Sequence, residues 1–155
     1  MDKDNDEYLN LIYSLTDHLD AVREFMVKAK QTTSLAQRIP TPEERILRAK
    51  LIYEEAMETI EALGVDHILG QFVDAGEEHC DLEKILDGAC DLAVVVDGTL
   101  ISCGLDGVFP EALERVNINN LSKFAEGSYI REDGNVMKPP GYGPVDLSDL
   151  IFREI

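Results

Sequence analysis

The sequence predicts an all-α fold: a four-to-five-helix bundle with a small C-terminal β-hairpin and an irregular tail. Three observations predict it. Apolar residues recur at helical spacing in several segments. The strongest helix start, Thr41-Pro42-Glu43-Glu44, combines an N-cap, a proline at the first helical position and a capping box. Glycines stand where two of the helices should stop, at Gly64 and Gly104.

Taken in order, the first helix runs from about Asp17 to Gln31, with Leu19, Val22, Phe25, Met26 and Ala29 on its periodic face. A polar loop, Thr32-Thr33-Ser34, and a proline-containing linker lead to Thr41. The second helix extends from there to Leu63. Between Gly64 and Cys80 the sequence reads as a loop, with Ile68 to Val73 adding a short helical turn. The third helix spans about Asp81 to Cys103 and is apolar on nearly every side, which predicts a central, buried helix. The fourth covers about Pro110 to Phe124. Tyr129 to Lys138 carries an Asp-Gly turn between two extendable arms, a hairpin signature. Pro139-Pro140-Gly141-Tyr142-Gly143-Pro144 then excludes regular structure. These segments predict a single domain over 1–155, with a helical core at about 15–125 and the hairpin and tail at about 128–155.

A net charge of −17 excludes nucleic acid and an anionic membrane surface as expected partners, because no basic patch exists to meet phosphates. With 45% hydrophobic residues the chain should fold. Cys80, Cys90 and Cys103 form no CxxC pair and read as reduced thiols. The acidic, polar first residues do not resemble a signal peptide, and no apolar run reaches membrane-spanning length. A cytoplasmic protein is expected.

The chemistry concentrates in two helices. Glu54, Glu55 and Glu58 lie within five residues of the second helix, on or beside a face shared with Leu47 and Leu51. Asp87 and Asp91 stand four apart on the third, where Lys84 is the only nearby cation. A triple-glutamate run is also the pattern of a solvated helix face. Two acidic clusters on two buried helices point instead to a shared cation, provided the helices pack antiparallel. Oxygen-only ligands favour Mg²⁺, with Mn²⁺ as the alternative. A di-iron bundle needs Glu-x-x-His pairs, and His18, His67 and His79 have Leu15, Gly64 and Gly76 at that offset. The histidines read as ordinary surface or loop residues. Near the end of the fourth helix, Arg115 to Lys123 places cations beside amide and hydroxyl side chains able to hold phosphate oxygens, and Lys138 is a similar candidate.

From about Val22 to Asp146 the chain resembles the all-α nucleoside triphosphate pyrophosphohydrolases. This superfamily includes MazG-like enzymes, dimeric dUTPases and phosphoribosyl-ATP pyrophosphohydrolases; the chain looks most like the last branch. Glu54-Glu55-x-x-Glu58 matches the EExxE motif, and Asp87 through Leu92 is similar to the branch's DxxxDL motif. Asn120-Leu121-Ser122-Lys123 is similar to its SNMSK segment, and Asp133-Gly134 through Lys138-Pro139 to its hairpin-lysine tail. Gly88 stands where the wider superfamily has glutamate, Asn119 where the branch has serine, and Asn135 where it has lysine. The resemblance implies Mg²⁺-dependent cleavage between the α and β phosphates, giving a monophosphate and pyrophosphate. It implies Glu54, Glu55, Glu58, Asp87 and Asp91 as the metal and catalytic set. Asn120, Lys123, Lys138 and Tyr142 would contact phosphates or sugar, with Phe25, Lys28 and Gln31 on the base side. A homodimer or homotetramer is implied too. The alternatives are phosphoribosyl-ATP hydrolysis, and a non-catalytic helical oligomer that keeps only the fold.

Overall fold

The computed structural model describes residues 17–132 and 134–151. The described chain is mostly helical, and it divides into two compact units, one ending at Asp106 and the other beginning at Gly107. The helix Phe109–Leu121 (α4) belongs to the second unit.

In the first unit, α1 is helical over residues 17–28 and stops short of Gln31. Lys30 adopts a left-handed φ of 57°, and the Gln31 N–H donates back to Met26 O while Lys30 N–H donates to Val27 O. This is a Schellman closure with lysine in the place glycine usually takes. It folds Gln31 back over the helix. Helix α2, Pro42–Ala62, begins with the predicted capping box: Thr41 accepts from Glu44 N–H, and Glu44 accepts from Thr41 N–H. Arg38 also donates to the Glu44 carboxylate and is the first cause holding its pKa down, to about 2. Helix α3, Leu82–Cys103, is capped by the Asp81 side chain and closed by Gly104 at φ 67°.

Between α2 and α3 the structure corrects the expected loop and helical turn. Val65–Ile68 (β1) and Gln71–Asp74 (β2) form an antiparallel hairpin, with His67 opposite Phe72 and their rings stacked at 4.8 Å. Leu69 and Gly70 both have positive φ, 51° and 79°, which is a type I′ turn. Leucine is not the residue that signals such a turn, so the hairpin left little trace in the sequence.

Helices α2 and α3 pack antiparallel. Asp81 N–H donates to Ala62 O at one end, Gly88 abuts Thr59 further along, and Gly98 abuts Arg48 beyond that. At Gly88 a Cβ would lie 2.6 Å from Thr59 Oγ1 and 3.3 Å from its Cα, so Gly88 is a close helix contact. The apolar core joins α1 to α3 through Val22, Met26 and Ile101, with Val94 packed against them.

The expectation that α2 and α3 are largely buried is corrected as well. On α2 only Arg48 and Ala62 are buried. On α3 the buried residues are Gly88, Asp97, Gly98, Ile101 and Ser102, while Leu82 and Leu86 are 80% and 68% exposed. The described helices of one unit cover a single stripe of each partner, leaving the other apolar faces of α3 bare.

In the second unit, α4 spans Phe109–Leu121 and runs on as a 3₁₀ turn, Ser122–Phe124. The predicted C-terminal hairpin pairs Tyr129–Ile130 (β3) with Val136–Met137 (β4). Its Asp133 lies outside the described residues. No helix among the described residues is long and apolar enough to cross a membrane.

Candidate functional site

Because α2 and α3 run antiparallel with Thr59 against Gly88 and Arg48 against Gly98, Glu55 comes level with Asp91. The electrostatics report the same convergence. The Glu55 carboxyl is pushed above the ordinary glutamate range, first by burial and then by the charges of Asp91, Glu58, Glu54 and Asp87. All five predicted carboxylates therefore act on one locus. Among the described residues none of the five is ion-paired to lysine or arginine.

Two cavities meet here. Glu58, Asp87 and Asp91 line a cleft of about 1000 Å³ that also contains Lys84. Glu55 and Asp91 line a smaller cavity of about 250 Å³, with Phe25, Gln31, Arg48 and Gly98 among its other walls. Asp91 stands on the boundary of both.

Glu54, Glu58, Asp87 and Asp91 are exposed rather than buried, and Glu55 alone is half-buried. Among the described residues no three histidine, cysteine or carboxylate groups already stand close enough to hold a metal ion. Like charges without a counter-ion repel, and exposed carboxylates rotate apart at little cost. The donor chemistry is what a hard divalent cation requires: oxygen ligands alone, from two rigid helices.

Of the base-side candidates, Phe25 and Gln31 line the small cavity. Lys28 does not reach it in this arrangement; its ammonium donates to Glu24 on the exposed face of α1. In the second unit Asn120, Lys123, Lys138 and Tyr142 are brought together. Lys123 donates to Asn120 Oδ1 at 2.7 Å, and the ammonium groups of Lys123 and Lys138 lie 6.0 and 4.8 Å from the Tyr142 ring centre. Asn119 Nδ2 donates to the Tyr142 hydroxyl at 2.8 Å. Arg115 is committed elsewhere, donating twice to Asp149 and once to Glu111.

Sequence reasoning missed two groups. Arg48 is buried with its guanidinium at the small cavity, and its only signal was a seven-residue offset from Glu55, two turns along the same face. His18 is more than an ordinary surface residue: its Nε2 lies 3.0 Å from Oδ2 of the buried Asp97. Burial raises the Asp97 carboxyl and His18 pulls it down.

The raised Glu55 fixes a pH dependence. A carboxyl whose pKa is higher in the folded state binds its proton more tightly there. The folded state is then favoured at low pH, and that contribution is lost as pH rises from 4.5 through the raised value. In metal-free buffer, thermal stability should therefore decline between pH 4.5 and neutrality, and decline less in Glu55→Gln. Parallel curves for the two proteins, followed by circular dichroism, would contradict this.

No protein-family model and no curated protein matches the chain.

Proposed function

We propose that the chain is a Mg²⁺-dependent nucleoside triphosphate pyrophosphohydrolase of the all-α type, releasing a nucleoside monophosphate and pyrophosphate. The observation that carries this is the focus of four carboxylates, Glu54, Glu58, Asp87 and Asp91, on a fifth, Glu55, beside a cavity large enough for a nucleobase. A cation bridging these carboxylates and a polyphosphate would offset the repulsion between a net-negative protein and its substrate.

Glu55, Glu58 and Asp91 would hold the ion, with Glu54 and Asp87 beside them. When bound, Mg²⁺ neutralises phosphate charge and acidifies water for attack at phosphorus. Glu54, exposed and next to Glu55, is suited to orient that water and accept its proton, or to hold a further ion. Phe25 offers an aromatic wall to the base. In the second unit, Lys123, Lys138, Asn120 and Tyr142 form a polar cluster of their own, with the chemistry to meet phosphate or sugar oxygens. The bare Leu82 and Leu86 on α3, and the exposed Leu69 and Phe72 of the hairpin, support the expected homodimer or homotetramer.

The test is Mg²⁺-dependent pyrophosphate release from a panel of canonical and modified ribo- and deoxyribonucleoside triphosphates, with phosphoribosyl-ATP included. Release from one or more triphosphates supports the proposal. Release from phosphoribosyl-ATP alone would replace it with the biosynthetic reading, and none at all would leave a helical oligomer without this activity.

A further inference from the structure

The inner end of the 250 Å³ cavity is built from hydrogen-bond donors. Arg48 is only 6% exposed, and its guanidinium carries five N–H groups. One amino group, Nη2, donates to Gln31 Oε1 at 2.7 Å. Among the described residues no carboxylate is ion-paired with it. Its other amino group, Nη1, occupies space that only a glycine leaves: a Cβ on Gly98 would stand 2.8 Å from it. Because Gln31 uses its carbonyl oxygen on Arg48, the part of its amide left for a ligand is the NH₂ donor. A buried guanidinium without an anion is costly unless something accepts its remaining hydrogens.

The distances fit one kind of occupant. Arg48 and Glu55 are seven residues apart on α2, and Gly98 and Asp91 seven apart on α3, so donors and carboxylates sit at opposite ends of a slot about 10 Å long. That is the span from a nucleotide's α-phosphate to the far edge of its base. Phe25 and Val94 also line the cavity.

We propose that Arg48, with Gln31, determines base specificity by selecting nucleobases whose far edge presents acceptors: guanine through O6 and N7, uracil or thymine through O4. Adenine and cytosine place an amino donor at the corresponding position and would meet donors with a donor. This rests on the hydrolase reading for its orientation of the nucleotide, and names the substrate class within it.

The experiment separates the two. Equilibrium titration with the uncleavable α,β-methylene triphosphates of guanosine, uridine, adenosine and cytidine, in Mg²⁺, reads base preference without turnover. The wild-type chain should bind the guanosine and uridine compounds about 10- to 100-fold more tightly than the other two. Arg48→Met should erase the difference by weakening only the keto bases. Gly98→Ala, which keeps Arg48 but crowds its Nη1, should reduce the preference too, and serves if Arg48→Met does not melt cooperatively. Equal binding of all four, binding of none, or a preference that survives both folded variants overturns the proposal. Selective binding of the keto compounds with no hydrolysis of natural triphosphates would instead remove the hydrolase reading and leave the specificity pair standing.

Discussion

Glu58→Ala is expected to lower kcat/KM for triphosphate hydrolysis by at least about 10³-fold while leaving the fold unchanged. The side chain is exposed on α2, lines the large cleft with Asp87 and Asp91, and makes no ion pair among the described residues. No packing is lost on its removal, and alanine is the better helix former. Relief of repulsion at Glu55 should hold the melting temperature or raise it slightly. A variant within a few-fold of wild-type activity would remove Glu58 from the metal site. A variant that melts early would show that the side chain serves the fold.

Ile101→Ala is expected to produce the largest loss of stability, about 2–5 kcal/mol. Ile101 is fully buried, and it meets Val22 and Met26 where α1 packs on α3. Its backbone carbonyl also receives the Ser34 N–H, so the cavity would open beneath an anchored loop with little freedom to collapse. Against a typical total of about 5–15 kcal/mol this is a large fraction. The melting temperature should fall by roughly 4–20 °C. Val22 and Met26 also line the 250 Å³ cavity, so nucleotide affinity should weaken in the variant even where it remains folded. Urea unfolding gives the first quantity directly, and a loss below about 1 kcal/mol would mean the α1–α3 contact is not the core of this unit.

The helices were legible because their punctuation is local. Thr41 with Glu44, Gly64 and Gly104 act through hydrogen bonds and dihedrals within a few residues, and each does in the structure what its position predicts. The β1–β2 hairpin was not legible, since its turn places Leu69 at a left-handed φ that leucine does not advertise. Burial was misread for a different reason. An apolar sequence states that a face needs a partner, not that the partner lies in the same chain, and Leu82 and Leu86 are left uncovered by the described residues. The carboxylate set was visible as spacing on each helix, and antiparallel packing joined the two halves. Arg48 reads as a surface residue in the sequence because it stands among charged neighbours, Glu43, Glu44, Arg45 and Lys50. Only the space at Gly98 and the bond to Gln31 show that it points inward.

As proposed, the two acidic helices would direct hydrolysis at the α–β linkage of a nucleoside triphosphate. Phosphorus NMR of a reaction on the best substrate of the panel, with and without Mg²⁺, tests it most directly. Equal amounts of nucleoside monophosphate and pyrophosphate are expected, formed only when the metal is present. Orthophosphate with nucleoside diphosphate, or product formed equally well in chelator, would contradict it.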